Sequence, residues 1–256
     1  MTTDLYFTIQ ELTETSLVKA GISLRSGGLS DAPYTSLNLA THVGDRPEAV
    51  IQNRKQFSKQ SGIKSFKFCQ QFHSDIVINA DNLPITYFDR GNHDLTTQSG
   101  DALISSRQDN ALGVFTADCV PIFILDIAKP AIAIVHAGWR GTIARIVTNA
   151  LAQMMKCYGT QAINCLIHLG PSIQQCCYEV SPELLVRFEG LFGHNVHNGH
   201  SLSLHTANVI QLVDAGVPFD SISTSPYCTA CCTDLFYSYR AEGGETGRML
   251  SYIQLI

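Results

Sequence analysis

The chain has 256 residues, 45% of them hydrophobic, with a formal net charge of −5 and a pI near 5.9. Its length gives one large domain or two small ones with material for a sizeable core. The acidic balance excludes general nucleic-acid binding, which needs a basic face.

The N-terminus, Met1-Thr2-Thr3-Asp4-Leu5, lacks the basic-then-apolar order of a secretory leader. Residues 6–24 alternate as strands do, and Arg25-Ser26-Gly27-Gly28-Leu29-Ser30 breaks that pattern. The paired glycines read first as a tight turn; a sharper reading is an anion or ribose contact through Arg25 and backbone N–H groups. Asp45-Arg46-Pro47-Glu48 reads as a helix start, with Asp45 as cap, and Gly62 ends that element.

Residues 65–69 and 75–80 read as strands with His73 between them. Residues 81–100 are polar and punctuated by Pro84, Gly91 and Gly100, the pattern of a surface loop in which His93 is solvated. Residues 102–105, 112–117, 120–125 and 131–136 are short, apolar and separated by turn residues, so they predict strands buried on both faces. The most apolar region, 111–127, is interrupted by Asp118 and Pro121 and falls short of the ~20 apolar residues of a membrane span.

Thr142 is placed to cap a helix over 143–158 that ends at Gly159, with an apolar stripe that reads as core. A strand over 163–169, a helix from Ser181-Pro182-Glu183, a Gly/His/Asn-rich loop over 193–201, a helix over 204–215 and a terminal strand over 248–256 complete the chain. No internal repeat or linker appears. One mixed α and β domain over 1–256, soluble and cytoplasmic, without nucleic-acid or membrane partners, is the expectation; nothing in the sequence sets its oligomeric state.

Ala117-Asp118-Cys119-Val120-Pro121 puts a cysteine at the start of an apolar strand, and His136-Ala137-Gly138-Trp139-Arg140-Gly141-Thr142 puts a histidine at the end of another. With His73, these make a three-donor set for zinc that leaves a fourth tetrahedral position open, the catalytic rather than the structural arrangement. The same residues also suit a metal-free pair in which Cys119 is a nucleophilic thiolate and His136 its base; the second histidine, His73, favours the metal. Arg140-Gly141-Thr142 at a helix start reads as a phosphate or oxyanion cradle. Asp118 in a regular strand would point away from Cys119.

Nine cysteines without a leader read as reduced thiols rather than a disulfide framework. Cys176-Cys177 and Cys228-Thr229-Ala230-Cys231-Cys232 contain one C-x-x-C half-site, yet adjacent cysteines face opposite sides of an extended chain, so no structural zinc site is expected there. His194, His197, His200 and His205 read as polar surface loop rather than a second metal site.

At these residues the chain resembles the YfiH-like, laccase-domain or polyphenol-oxidase-like proteins, generally described as purine nucleoside phosphorylases. Besides the two central motifs, the resemblance runs through Arg25 to Ser30, Pro33 to Leu39, Gln71-Phe72-His73-Ser74, Gly100-Asp101-Ala102-Leu103-Ile104, Gly170-Pro171-Ser172-Ile173, Cys176 to Val180, Phe236 to Arg240 and Gly247-Arg248. It implies an α+β fold, a single-domain layered sandwich with mixed β-sheets shared with the cytotoxic-necrotizing-factor toxin domain. It implies His73, Cys119 and His136 as Zn2+ ligands. It implies phosphorolysis of adenosine, inosine, guanosine and methylthioadenosine, with adenosine deamination as a second activity. The phosphate is then assigned to Arg140, Gly141 and Thr142, with Arg25 or Arg240 assisting.

Two other enzymes remain in view. One is a metal-free Cys–His hydrolase or amidase acting on cell-wall peptides. The other is a copper-dependent polyphenol oxidase. A multicopper oxidase needs many histidines, often as His-x-His, and this chain has nine and no such pair. Cu(II) outcompetes zinc at such donors, so copper bound in vitro would be adventitious.

Overall fold

The apolar runs read from the sequence become buried strands in a computed structural model that describes residues 4–88 and 98–256. In chain order, β1 (Tyr6–Thr8), a one-turn helix α1 (Gln10–Thr13) and β2 (Val18–Ser23) precede an irregular segment and α2 (Pro47–Ser61). Then come β3 (Ser65–Phe66), β4 (Val77–Asn79), β5 (Thr86–Tyr87), β6 (Ala102–Ser105), β7 (Ala111–Thr116), β8 (Val120–Asp126) and β9 (Ala131–Ala137). The remainder supplies α3 (Trp139–Ile143), α4 (Ile146–Tyr158), β10 (Cys165–Leu169), α5 (Pro182–Phe192), α6 (Leu204–Asp214), β11 (Ile222–Thr224) and β12 (Met249–Leu255).

Two sheets carry the architecture. One is antiparallel, in the order β1-β2-β12-β7; the other is mixed, in the order β11-β10-β8-β9-β6-β4, with parallel pairs at both edges. Every residue of β6 to β9 is buried, because both faces of each strand are covered. Alternation along β8 shows how. Val120, Ile122 and Ile124 pack with Val147, Ala150 and Met154 of α4, Phe188 of α5 and Leu212 of α6. Phe123 and Leu125 point the other way, against Ile22, Val114 and Ile253 of the antiparallel sheet. The outer face of that sheet packs Phe115, Leu250 and Tyr252 on Phe57 of α2. The layers are helix, sheet, sheet, helices: the expected α+β sandwich with mixed sheets.

Four local expectations change. The 6–24 alternation contains a helical turn, because Ile9 and Leu12 must both enter the inter-sheet core. Asp45 does not cap α2; its Oδ2 accepts from Ser30 Oγ and Asn38 Nδ2, and Arg46 takes the cap position. Thr142 begins no helix: the helical segment starts at Trp139 and breaks at Arg145, where φ is +64°. Thr142 is fully buried inside α3 and accepts from Asn208 of α6. The expected 81–100 loop contains β5, and His93 lies outside the described residues. Among the described residues no helix is long and apolar enough to cross a membrane.

Candidate metal centre and its cavity

Sheet register brings the central residues together. β8 and β9 form an antiparallel hairpin with Val120 opposite Ala137 and Pro121 opposite His136. One step further along that register, Cys119 faces Gly138. The chain arrives at Cys119 from β7 of the other sheet by turning at Asp118, whose φ is +88°. On the far side of β9, Ala102 of β6 pairs with Val135, so Asp101 lies opposite His136, whose N–H donates to the Asp101 carbonyl over 2.7 Å.

Asp101 is fully buried. Its Oδ1 accepts from His136 Nδ1 at 2.8 Å and from the His73 N–H at 3.0 Å. Its Oδ2 accepts from the Ser74 N–H at 2.6 Å, Ser74 Oγ at 2.7 Å and the Phe72 N–H at 3.3 Å. One carboxylate thus fixes the ring of His136 and the backbone of His73, which it holds at φ +65°. A buried charge is costly unless it is paired and hydrogen-bonded. Burial raises the Asp101 pKa, but the His136 and Ser74 bonds outweigh it and bring the value to about 2.

The donor atoms of His73, Cys119 and His136 lie within 4.8 Å of one another, and His73 Nε2 is 3.9 Å from Cys119 Sγ. Tetrahedral zinc, with bonds of about 2.3 Å to sulfur and 2.05 Å to nitrogen, sets such donors about 3.6 Å apart. Because His136 Nδ1 is held by Asp101, its Nε2 is presented to the group, as in the carboxylate–histidine pairs that orient metal ligands. Gly138 makes the space: a Cβ there would stand 2.8 Å from Cys119 Sγ and 3.0 Å from His73 Cδ2. The residues fit a three-ligand metal site. Without a metal, burial opposes charge on both partners, yet the facing imidazoles lower the Cys119 thiol, and the thiolate with Asp101 raises His136.

The three donors open into a cavity of about 540 Å³, a volume within the ~300–1,000 Å³ of small-molecule sites. Arg140, Arg240 and Arg248 line it, with Phe115, Trp139, Tyr178 and Tyr239 as aromatic walls. Arg140 lies 4.2 Å over the Trp139 ring, and Arg240 lies 5.3 Å over Tyr178 while donating to the Glu179 carbonyl. Arg248 is anchored on the Thr246 and Gly247 carbonyls. Asp118 also lines the cavity. It is not in a regular strand: its carboxylate turns to Thr229 Oγ1 at 2.6 Å and the Arg240 N–H at 2.7 Å.

Of the residues expected at the site, His73, Cys119, His136, Arg140 and Arg240 are together. Three are elsewhere. Arg25 ties Thr35, Thr233 and Phe236 carbonyls to Glu242, because its own N–H donates to the Leu235 carbonyl and lays the side chain along the 233–242 segment. Gly141 and Thr142 are buried between α3 and its neighbours and do not line the cavity. Asp101 and Arg248 were missed as site residues; a carboxylate heading an apolar strand was the available signal for the first. A depression of about 620 Å³ beside Arg107, Asp109 and Ile256 holds no comparable donor set, and its Arg107 is paired with Asp109.

The cysteine cluster also differs from expectation, as does His205 among the four histidines. Cys176, Cys177, Cys228 and Cys231 converge, with all four sulfurs within 4.8 Å of one another. Residues 175–177 form a turn, with the Cys177 and Tyr178 N–H groups donating to the Gln174 carbonyl, so neighbouring thiols need not oppose each other. His205 is no loop residue: it is buried on α6 and bonds the Gly170 carbonyl. His194 and His197 pair with Glu189, and no donor cluster among the described residues includes any of the four histidines.

Residues 19–256 match the family described as multi-copper polyphenol oxidoreductase laccase. The chain is 30% identical, over 99% of its length and 95% of the relative's, to a Bacillus subtilis protein named purine nucleoside phosphorylase YlmD. It is 32% identical to the protein of that name from Geobacillus stearothermophilus, over 91% and 89%. The crystal structure of the latter superposes with a TM-score of 0.89 at 26% identity, covering 100% and 97% of the two chains. A Bacillus licheniformis structure described as hypothetical protein YfiH gives 0.88 at 29%, covering 99% and 97%.

Proposed function

The chain belongs to the family described as multi-copper polyphenol oxidoreductase laccase, the YfiH family, and within it we propose that this protein is a zinc-dependent purine nucleoside phosphorylase. The observation that carries the reading is a three-donor metal site opening into a cavity ringed by three arginines and four aromatic side chains. Its relatives' shared name supports the same reaction class.

Phosphorolysis joins a phosphate oxygen to C1′ of the ribose, breaks the bond from C1′ to the purine, and releases base and ribose-1-phosphate. Phosphate needs cationic hydrogen-bond donors. Arg140, which has no carboxylate partner among the described residues, and Arg240 and Arg248 supply guanidinium forks suited to its oxygens. Asp118 positions Arg240 by accepting its backbone N–H. Phe115, Trp139, Tyr178 and Tyr239 offer faces for a planar purine. A zinc ion on His73, Cys119 and His136 would supply Lewis-acid polarisation, and Asp101 holds two of those ligands in place. Adenosine, inosine, guanosine and methylthioadenosine are the substrates, and replacement of the adenosine 6-amino group by water, giving inosine and ammonia, is a second reaction of the same cavity.

The alternative enzyme with an observation of its own is the Cys–His hydrolase, since a thiolate beside a raised imidazole is the activated pair such chemistry uses. Incubating the purified protein with each nucleoside and phosphate, and measuring ribose-1-phosphate before and after chelation, separates the two. Phosphate-dependent product that disappears with the metal and returns with zinc is expected. Turnover unaffected by chelation yet abolished by thiol alkylation would overturn the zinc reading.

A further inference from the structure

We propose that Cys176, Cys177, Cys228 and Cys231 bind a second, structural metal ion as a closed tetrathiolate site. The proposal does not depend on which reaction the cavity carries.

The geometry is that of a metal knuckle rather than a disulfide. Cys231 Sγ lies 3.3 Å from Cys177 Sγ and 3.6 Å from Cys176 Sγ, and all four sulfurs fall within 4.8 Å of one another. Zinc–sulfur bonds of about 2.3 Å place the corners of a tetrahedron about 3.8 Å apart, whereas a disulfide needs about 2.05 Å. Each half comes from a tight turn. Cys228 and Cys231 form a C-x-x-C half-site in which the Cys231 and Cys232 N–H groups both donate to the Cys228 carbonyl. Cys176 and Cys177 occupy the 175–177 turn closed on the Gln174 carbonyl. The Gln174 N–H points at Cys228 Sγ, 3.4 Å away, the kind of backbone bond that favours a thiolate over a thiol.

The two turns already lie side by side. Ser172 and Cys228 form a parallel bridge, and the Thr229 N–H donates to the Ser172 carbonyl at 3.0 Å. Four thiols so close, three of them solvent-accessible, repel one another once ionised. A divalent soft-to-borderline cation removes that repulsion and cross-links the turns. The link also bears on the cavity. The first turn lies between Ile173 and Tyr178, which line it, and Thr229 in the second holds Asp118 beside Cys119. The metal would fasten a wall of the cavity without touching its contents.

The test uses the full chain purified under reducing conditions without added copper. Metal content is measured for the wild type, for Cys119→Ser, for the double variant Cys176→Ser/Cys231→Ser, and for Cys157→Ser as an exposed control. Two equivalents per chain are expected in the wild type and the control, and one in each of the other two. The Cys119→Ser chain reconstituted with Co2+ keeps the four-cysteine site intact whatever the double variant does, and should show the intense sulfur-to-cobalt absorption of all-thiolate coordination. A Cys119→Ser chain that takes up no cobalt with that signature would overturn the proposal. So would mass spectrometry finding a disulfide within the cluster and no second metal.

Discussion

Cys119 and His136 stand at strand ends, where the register of a buried hairpin sets their spacing, and His73 stands on the segment between β3 and β4. Cys176, Cys177, Cys228 and Cys231 stand on two surface turns, and their spacing is set by local backbone bonds. Both sets of donors converge to within 4.8 Å. The first has three donors, a buried carboxylate behind it and a cavity in front; the second has four sulfurs, none of which lines that cavity. Three ligands leave a position for substrate, and four close the shell. Each kind of site is therefore vulnerable to a different change. The first depends on the sheet and on what a Cβ would displace, the second on the thiols themselves.

The sharpest way to break that contrast is Gly138→Ala. Its methyl group would sit on Cys119 Sγ and His73, so the cavity site should lose its metal and nucleoside turnover together, while the four-cysteine cluster keeps its metal. Metal content and phosphorolysis rate, read on the same sample, check it; a variant that keeps both at wild-type levels would show that the three residues do not share one ion.

Asp101→Asn keeps the side-chain shape but removes the charge that orients His136 and the His73 backbone. Metal affinity at the cavity should fall roughly 10–100-fold, the usual cost of losing such a partner, as measured by competition with a chelator. Arg140→Ala should act on phosphate alone. Losing one charge-assisted hydrogen bond, about 1.5 kcal/mol, raises the KM for phosphate about tenfold and leaves the KM for nucleoside near its original value.

An effect on stability alone, outside both sites, concerns the loop behind the cysteine turns. His205 bonds the Gly170 carbonyl and Ser172, and burial lowers its pKa from 6.5 to about 4. A histidine with a depressed folded-state pKa stabilises the fold fully above its unfolded value and loses that contribution as pH falls. Stability should therefore drop between about pH 6.5 and pH 4, by at most on the order of 3 kcal/mol from this group. Denaturant unfolding across that range, compared with His205→Gln, measures it; equal slopes in the two proteins would remove His205 as the cause.

Much of this was legible in the sequence because burial on both faces writes itself as apolar runs. β6 appears at its expected bounds, and β8 and β9 exceed theirs by one residue each. The three donors were legible less from their own positions, since a cysteine or histidine at the end of such a run is commonly a structural residue, than from the motifs around them that resemble the family's. What was lost turned on backbone that apolar pattern does not encode. The left-handed Arg145 delays the expected helix to Ile146, and a short helix over Trp139–Ile143 takes in Thr142. The left-handed Asp118 turns its carboxylate to Thr229 and the Arg240 backbone. Arg25, 14% exposed at the side chain, looked like an anion contact but closes a loop against Glu242. Cys176 and Cys177 looked opposed because an extended chain was assumed where a turn stands.

The most direct measurement is chromatography of the products formed from adenosine by the zinc-loaded protein, with and without phosphate. Adenine appearing only where phosphate is present, with inosine as a slower product in both tubes, is the predicted result. Adenosine unchanged in both tubes would contradict a nucleoside phosphorylase and return Cys119 and His136 to the role of a hydrolase pair.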